Sequence, residues 1–158
     1  MNKIIIRALG SGEEPPMELL LLADPSRDIV EGYLGRGQCY VAEEGGSVIG
    51  VYVLIPTRPE TVELVNVAVE ESRHGCGIGK RLVLHAVRTA REQGARTMEV
   101  GTGNSSVAQL ALYQKCGFRI TGVDRDFFTR HYPMEIMENG IPCRDMIRLA
   151  QDVHNGEG

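Results

Sequence analysis

Apolar residues along this chain alternate between two rhythms, a period of two and a period close to 3.6, and the switches between them mark the elements. Residues 3–9 read as a strand through Ile4-Ile5-Ile6. A turn-rich loop follows, with Pro15-Pro16 placed to start a helix. Residues 17–23 predict a short, very apolar helix. Asp24-Pro25-Ser26 interrupts it, and a second piece runs to about Leu34, where Gly35 and Gly37 stop it. Residues 39–43 and 48–55 predict two strands joined around Glu44-Gly45-Gly46-Ser47, a hairpin signal. Pro56 and Pro59 are expected to end the second strand, and residues 62–69 form the next.

The clearest helix spans residues 77–93, with Ile78, Leu82, Val83, Ala86, Val87 and Ala90 on one face and Gly94 at its end. Residues 96–101 predict a strand. Residues 105–116 predict a second periodic helix, through Val107, Leu110, Ala111 and Tyr113, stopped at Gly117. Residues 118–123 begin another strand, 124–139 are aromatic, charged and irregular, and 142–150 read as a last strand. Without repeats or linkers, this order predicts one α/β (α+β) domain around a single sheet over residues 1–152, with a disordered tail at 153–158.

Composition narrows the function classes. At 158 residues the chain is long enough to bury a core without staples, and 42% hydrophobic with 24% charged content is that of a globular protein. No run of apolar residues is long enough to span a membrane, and the N-terminal apolar stretch is too short for a signal peptide, so a cytoplasmic location is expected. Cys39, Cys76, Cys116 and Cys143 are widely spaced with no histidine at ligand spacing, which predicts buried or half-buried free thiols and no metal. The net charge of −4 is unevenly spread. From Arg73 to Arg96 six basic residues face one acid, so that segment carries +5 and the rest of the chain −9. A basic turn and helix inside an acidic protein suits a small anionic ligand. Nucleic acid would call for a broader basic surface interleaved with aromatics.

The anion's place is the stretch Glu63-Leu-Val-Asn-Val67-Ala68-Val69 and the glycine turn His74-Gly75-Cys76-Gly77-Ile78-Gly79-Lys80 that opens the clearest helix. Backbone N–H groups and the positive end of a helix dipole meet there. The P-loop pattern fails, because His74 and Arg81 stand where it needs a glycine and a hydroxyl residue. The dinucleotide fingerprint fails too, since its third glycine would fall at Lys80.

The turn resembles the pyrophosphate loop of the GNAT superfamily of acetyl-CoA-dependent N-acetyltransferases, (Gln/Arg)-x-x-Gly-x-(Gly/Ala) after a strand and at a helix start. His74 replaces the usual first residue, while Gly77 and Gly79 match. Asn104 followed by Leu112-Tyr113-Gln114-Lys115-Cys116-Gly117-Phe118 is similar to the family's second cofactor element, with a spacing of nine residues from Asn104 to Tyr113 where about seven is usual. The resemblance implies a mixed, mostly antiparallel sheet of about seven strands flanked by about four helices. It also implies that the strand through Val67, Ala68 and Val69 splays from its neighbour and pairs with pantetheine, and that N–H groups from about Cys76 to Gly79 hold the pyrophosphate. Asn104, or Ser106 in its place, would contact the cofactor. Glu63 would act as general base, directly or through water, and Tyr113 would protonate the CoA thiolate. The implied reaction is direct acetyl transfer in a ternary complex, without metal.

The acceptor pocket of this family is built by residues 19–34 and 124–139, both acidic here. Asp24, Asp28 and Glu31 lie in the first, and Asp124, Asp126, Glu135 and Glu138 in the second. Acidic walls favour a cationic small-molecule amine such as an aminoglycoside or polyamine. His131 and Tyr132 belong to the aromatic cluster that could touch it. Two alternatives stay open: a protein lysine or N-terminal acetyltransferase, and an acyl-CoA-binding sensor without catalysis. Pairing into a homodimer through the final strands is a further implication of the resemblance.

Overall fold

The structure is a computed structural model, described here over residues 3–154. Its chain runs β1 (Ile4–Ala8), α1 (Met17–Ala23), α2 (Arg27–Leu34), β2 (Gln38–Glu44), β3 (Ser47–Arg58), β4 (Thr61–Val69), a 3-10 turn (Glu71–Arg73) and α3 (Ile78–Glu92). It continues through β5 (Thr97–Gly103), α4 (Val107–Lys115), β6 (Arg119–Asp124), α5 (Phe127–His131), β7 (Met137–Glu138), β8 (Ile141–Pro142) and β9 (Met146–Asp152). Seven strands form one sheet in the order β1-β2-β3-β4-β5-β9-β6, and β7 pairs with β8 separately. Every neighbour pair in the large sheet is antiparallel except β4 with β5.

Two cores sandwich the sheet. On one face, Leu82, Val83, Ala86 and Ala90 of α3 pack with Tyr52, Met98, Phe118 and Leu149. The α3 residues at the expected 3.6 spacing, Ile78 through Ala90, are all buried. On the other face, Leu20 and Tyr33 of α1 and α2 pack with Val41, Val51, Val53 and Ala68. Ser26 caps α2 by accepting from the Ile29 N–H at 3.3 Å, which is why the short helices on either side of Asp24 are separate.

The structure departs from several expectations. Strand β3 runs through Pro56 to Arg58 instead of stopping at the proline. Its other neighbour, β2, ends at Gln38 opposite Leu54, so past that point one side of β3 is open and a missing N–H costs no ladder bond. The last strand is split, because the Arg144 and Asp145 N–H groups both donate to Asn104 Oδ1 and leave the ladder. Helix α4 buries only Tyr113: Ala108, Gln109 and Leu112 border a groove and not the core, and Val107 and Ala111 are exposed. Cys76 is exposed, while Cys116 and Cys143 are buried. At the C-terminus Val153 is fully buried and its N–H donates to Arg96 O, so packing continues past Asp152. The tail expected beyond it lies, from residue 155, outside the described residues.

Candidate active site

Strand β4 sets the site through two irregularities. Leu54 of β3 faces Leu64 while Val53 faces Asn66, so Val65 is an extra residue, a β-bulge. Beside it, β4 pairs with β5 only from Thr61↔Thr97 to Leu64↔Val100, after which the two parallel strands part. The backbone groups of residues 65–69 that face β5 therefore have no strand partner, and a V-shaped cleft opens.

The bulge also decides which face each β4 side chain takes. Val62 and Leu64 pack with the α3 core, and so do Val67 and Val69. Val65 and Ala68 pack with the α1–α2 core, and Asn66 bonds into it. Simple alternation along a regular strand would place Glu63 on one face with Val65, Val67 and Val69. In the structure Glu63 shares a face with Val65, while Val67 and Val69 point to the opposite one.

At the open end of β4 the chain makes its glycine turn. Gly75 and Gly77 have φ of 80° and 81°, a left-handed conformation that favours glycine, and Gly77 is the N-cap of α3. The first internal helix bond is Arg81 N–H to Gly77 O, and the N–H groups of Gly75, Cys76, Gly77, Ile78, Gly79 and Lys80 have no acceptor among the described residues. They form a concave cradle of donors at the positive end of α3. His74 Nε2 lies 2.8 Å from Val69 O, and because a carbonyl only accepts, Nε2 carries the proton. His74 thus ties the loop to β4. Arg73 is paired with Glu44 on β2, through Nη2–Oε2 at 2.9 Å, so its guanidinium anchors the loop. Of the other basic residues, Arg91 donates to Val153 O and Arg96 lies beside Glu60. Lys80 and Arg81 are the exposed pair at the helix start.

Two hollows join along this line. One, of about 310 Å³, runs from Arg73, His74, Gly75, Gly77 and Gly79 along Val67, Ala68 and Val69 to Leu112 and Tyr113. The other, of about 330 Å³, fills the V from Leu64–Val67 to Gly101–Gly103 and is walled by Asp24, Tyr132, Ser106 and Glu138. Val67, Gln109 and Tyr113 line both. Tyr113 therefore stands at the joint. Its ring is buried edge-on to Phe118, its hydroxyl has no partner among the described residues, and burial pushes its pKa up to about 12.

Glu63 lies behind the V. Its nearest cation is Arg148 at 4.0 Å, and its strand partner on β5 is Glu99, itself held by Arg58 at 2.6 Å. Burial, the larger cause, raises the Glu63 pKa above the usual carboxylate range. Arg148 opposes that rise and Glu99 adds to it. Arg148 also lies near Asp124, at 3.8 Å, and over the Phe127 ring.

Asn104 and Ser106 part company. Asn104 donates from Nδ2 to Pro142 O and accepts from Arg144 and Asp145, so its amide staples the β8–β9 connection and does not line either hollow. Ser106 does line the V and donates to Glu138 at 2.6 Å. His131 is exposed with its ring tilted against Phe127, whereas Tyr132 is buried in the cleft wall. Of the acidic residues expected around an acceptor, only Asp24 and Glu138 reach the cleft.

The sequence reading missed one buried polar group. Asp24 accepts from Tyr132 O–H at 2.9 Å and Tyr33 O–H at 3.3 Å, and Asn66 Nδ2 donates to the phenolic Oη of Tyr33 at 2.7 Å and to Leu20 O at 3.0 Å. An asparagine inside an apolar strand was the available signal. Among the described residues no group of histidines, cysteines or acids is placed to hold a metal, and no helix is long and apolar enough to cross a membrane.

Comparison with known proteins agrees with this geometry. The model of the acetyltransferase (GNAT) family matches residues 10–118. An N-acetyltransferase of Bacillus subtilis (strain 168), YvbK, is 57% identical over 153 residues, covering 97% of this chain and 99% of its own. A Bacillus subtilis acetyltransferase solved in complex with CoA is 59% identical with a TM-score of 0.88, over 95% of this chain and 99% of its own. A GNAT family acetyltransferase from Elizabethkingia anophelis with acetyl-CoA bound is 44% identical with a TM-score of 0.92, over 94% and 97%.

Proposed function

The chain belongs to the GNAT acetyltransferase family and is an acetyl-CoA-dependent N-acetyltransferase, and from that premise we propose that its acceptor is a cationic primary amine of a small molecule. The supporting observation is the polarity of the continuous groove. Its loop end offers unpaired N–H groups and the start of a basic helix, with Arg73 and His74 and no acid in its lining. Its far end is lined by Asp24 and Glu138 and by no lysine or arginine. An anion fits one end and a cation the other. The Asp24–Tyr132 bond joins the end of α1 to the end of α5 across the cleft. That closed wall favours a small molecule over a polypeptide, which would need an open groove.

In this reading the pyrophosphate of CoA lies on the N–H groups of Gly75 to Lys80, and the pantetheine arm pairs with the free backbone of Val67, Ala68 and Val69. The acceptor enters from the α1–α2 face. Glu63 sits one alternation step below Val65, about 7 Å along the strand, and it does not line the cleft. It therefore takes the ammonium proton through water. The amine nitrogen attacks the thioester carbon, free N–H groups of β4 steady the oxyanion, and the C–S bond breaks as the C–N bond forms. The Tyr113 hydroxyl gives its proton to the departing thiolate and is reprotonated by the second amine proton through water, while the proton taken toward Glu63 leaves to solvent. The unpartnered phenol supports catalysis over a sensor role.

The test is thiol release from acetyl-CoA in the presence of spermidine, kanamycin, neutral amines and short peptides. Turnover with the polyamine or aminoglycoside, weakened by salt, is expected. Turnover confined to peptides or neutral amines would overturn the acceptor assignment.

A further inference from the structure

We propose that Asn66 Oδ1 receives the acceptor ammonium and fixes its orientation in the cleft. The inference rests on the cationic-amine reading above and adds the atom that recognises the amine. Asn66 is 4% exposed, borders the cleft where β4 parts from β5, and its Oδ1 is the one buried side-chain nitrogen or oxygen without a partner among the described residues. A buried amide oxygen left without a donor is costly and rare.

Its orientation is fixed by its neighbours. Leu20 O can only accept, so the end of the amide facing it must be Nδ2, and a flip would leave that carbonyl facing another acceptor. The second Nδ2 hydrogen goes to Tyr33 Oη, whose own hydrogen goes to Asp24. A chain of donors ending on a carboxylate draws electron density toward Oδ1 and makes it a stronger acceptor. No lysine or arginine lines the cleft to answer it, and a guest in the cleft can supply the missing donor. A primary ammonium suits the place, with three hydrogens to distribute. One meets Oδ1, a second faces water toward Glu63, and the nitrogen is held on the acceptor side of β4 while Val67 and Val69 face the cofactor side. Asn66 is a positioning residue. It exchanges no proton, and its amide stays neutral throughout.

The measurement is nuclear magnetic resonance of the nitrogen-15-labelled, CoA-saturated enzyme titrated with spermidine. A saturable shift of the Asn66 side-chain NH₂ pair is expected, because a hydrogen bond at Oδ1 polarises the same amide. Asn66→Ala should weaken spermidine binding roughly tenfold or more, the scale of a hydrogen bond to a charged group, and leave CoA affinity within about twofold. Tyr33→Phe, which keeps Oδ1 and interrupts its link to Asp24, should weaken spermidine only a few-fold. If spermidine shifts Leu22 and Tyr113 while the Asn66 NH₂ pair stays still, the Asn66 assignment fails and the cationic-amine reading stands. If neither spermidine nor butylamine shifts any cleft resonance, that reading fails and takes this inference with it. The NH₂ shift is read on the unmutated enzyme, so the result does not depend on Asn66→Ala folding.

Discussion

Replacing Gly77 by alanine separates what the loop conformation costs from what the loop binds. Gly77 has φ of 81°, and an added Cβ would meet nothing within 4 Å. The only structural penalty is the left-handed backbone, roughly 1–2 kcal/mol for an L residue. In a chain of this size that lowers Tm by about 2–8 °C. Gly46, in the β2–β3 turn, has φ of 84° and equally open surroundings, so Gly46→Ala carries the same penalty far from the groove. The two variants should differ only toward CoA. With CoA at about a hundred times its Kd, binding stabilises the parent by about 2.7 kcal/mol, a rise of about 5–11 °C. A methyl group in the cradle that displaces two amide–phosphate bonds, at about 1.5 kcal/mol each, weakens CoA about 160-fold. The ligand-induced gain then falls to about 0.3 kcal/mol, or about 1 °C. Scanning fluorimetry with and without CoA reads both quantities. If Gly77→Ala keeps the full CoA shift that Gly46→Ala keeps, the loop is not the phosphate site.

Three other outcomes are expected. Glu63→Gln should lower kcat about 10²-fold or more, the usual worth of a general base, with acetyl-CoA affinity unchanged by calorimetry. It should also raise Tm at neutral pH. The folded Glu63 pKa lies above its unfolded value, so the native state holds the extra proton, and the stability this confers is present at low pH and lost as pH rises through the folded pKa. Glutamine removes that loss, and a Tm that fell at pH 7 would contradict the burial argument. Tyr113→Phe should cost less than about 0.5 kcal/mol in stability, because its hydroxyl holds no partner, yet slow turnover about 10²-fold. Unchanged kcat would remove it from the mechanism. His74→Ala should raise the KM for acetyl-CoA several-fold by releasing the loop from Val69 O, while His74→Gln, which can donate to the same carbonyl, should restore most of it. Equal KM values for the two variants would show that the tether has no effect.

Local patterns carried most of the fold into view. The α3 face, the glycines of the turn and the ends of α1 each follow from a few neighbouring residues, and the structure places them where the periodicities do. What escaped depended on partners distant in sequence. Asn104 could not be known to serve Arg144 and Asp145, about forty residues on, and so the break in the last strand could not be known either. The Asp24–Tyr33–Asn66–Tyr132 group spans three separate segments, and nothing local to any of them announces it. Asp28, Glu31, Asp126 and Glu135 looked like pocket walls by composition alone, and they are exposed surface. Segment 124–139 resisted reading because α5 is short and β7 and β8 pair only with each other.

The bulge at Val65 is where the departure from simple alternation and the chemistry meet. A regular strand presents every second residue to one side, so a cofactor lying on β4 would be met by the same residues that continue down to Glu63. One extra residue breaks that identity. Below the bulge the α1–α2 face carries Glu63 and Val65, and above it that face carries Asn66 and Ala68, while Val67 and Val69 turn to the other side. A single strand can then show apolar side chains to the cofactor side and a carboxylate and an amide to the acceptor side within a few residues. The same extra residue lies next to Leu64, where pairing with β5 ends, so the point at which the faces exchange is also the point at which the cleft opens. A two-substrate site needs both, two distinct walls and a gap between them, and β4 supplies them by a length mismatch that the pattern of apolar residues cannot reveal. Val65 is as apolar as its neighbours, and only its missing partner on β3 distinguishes it.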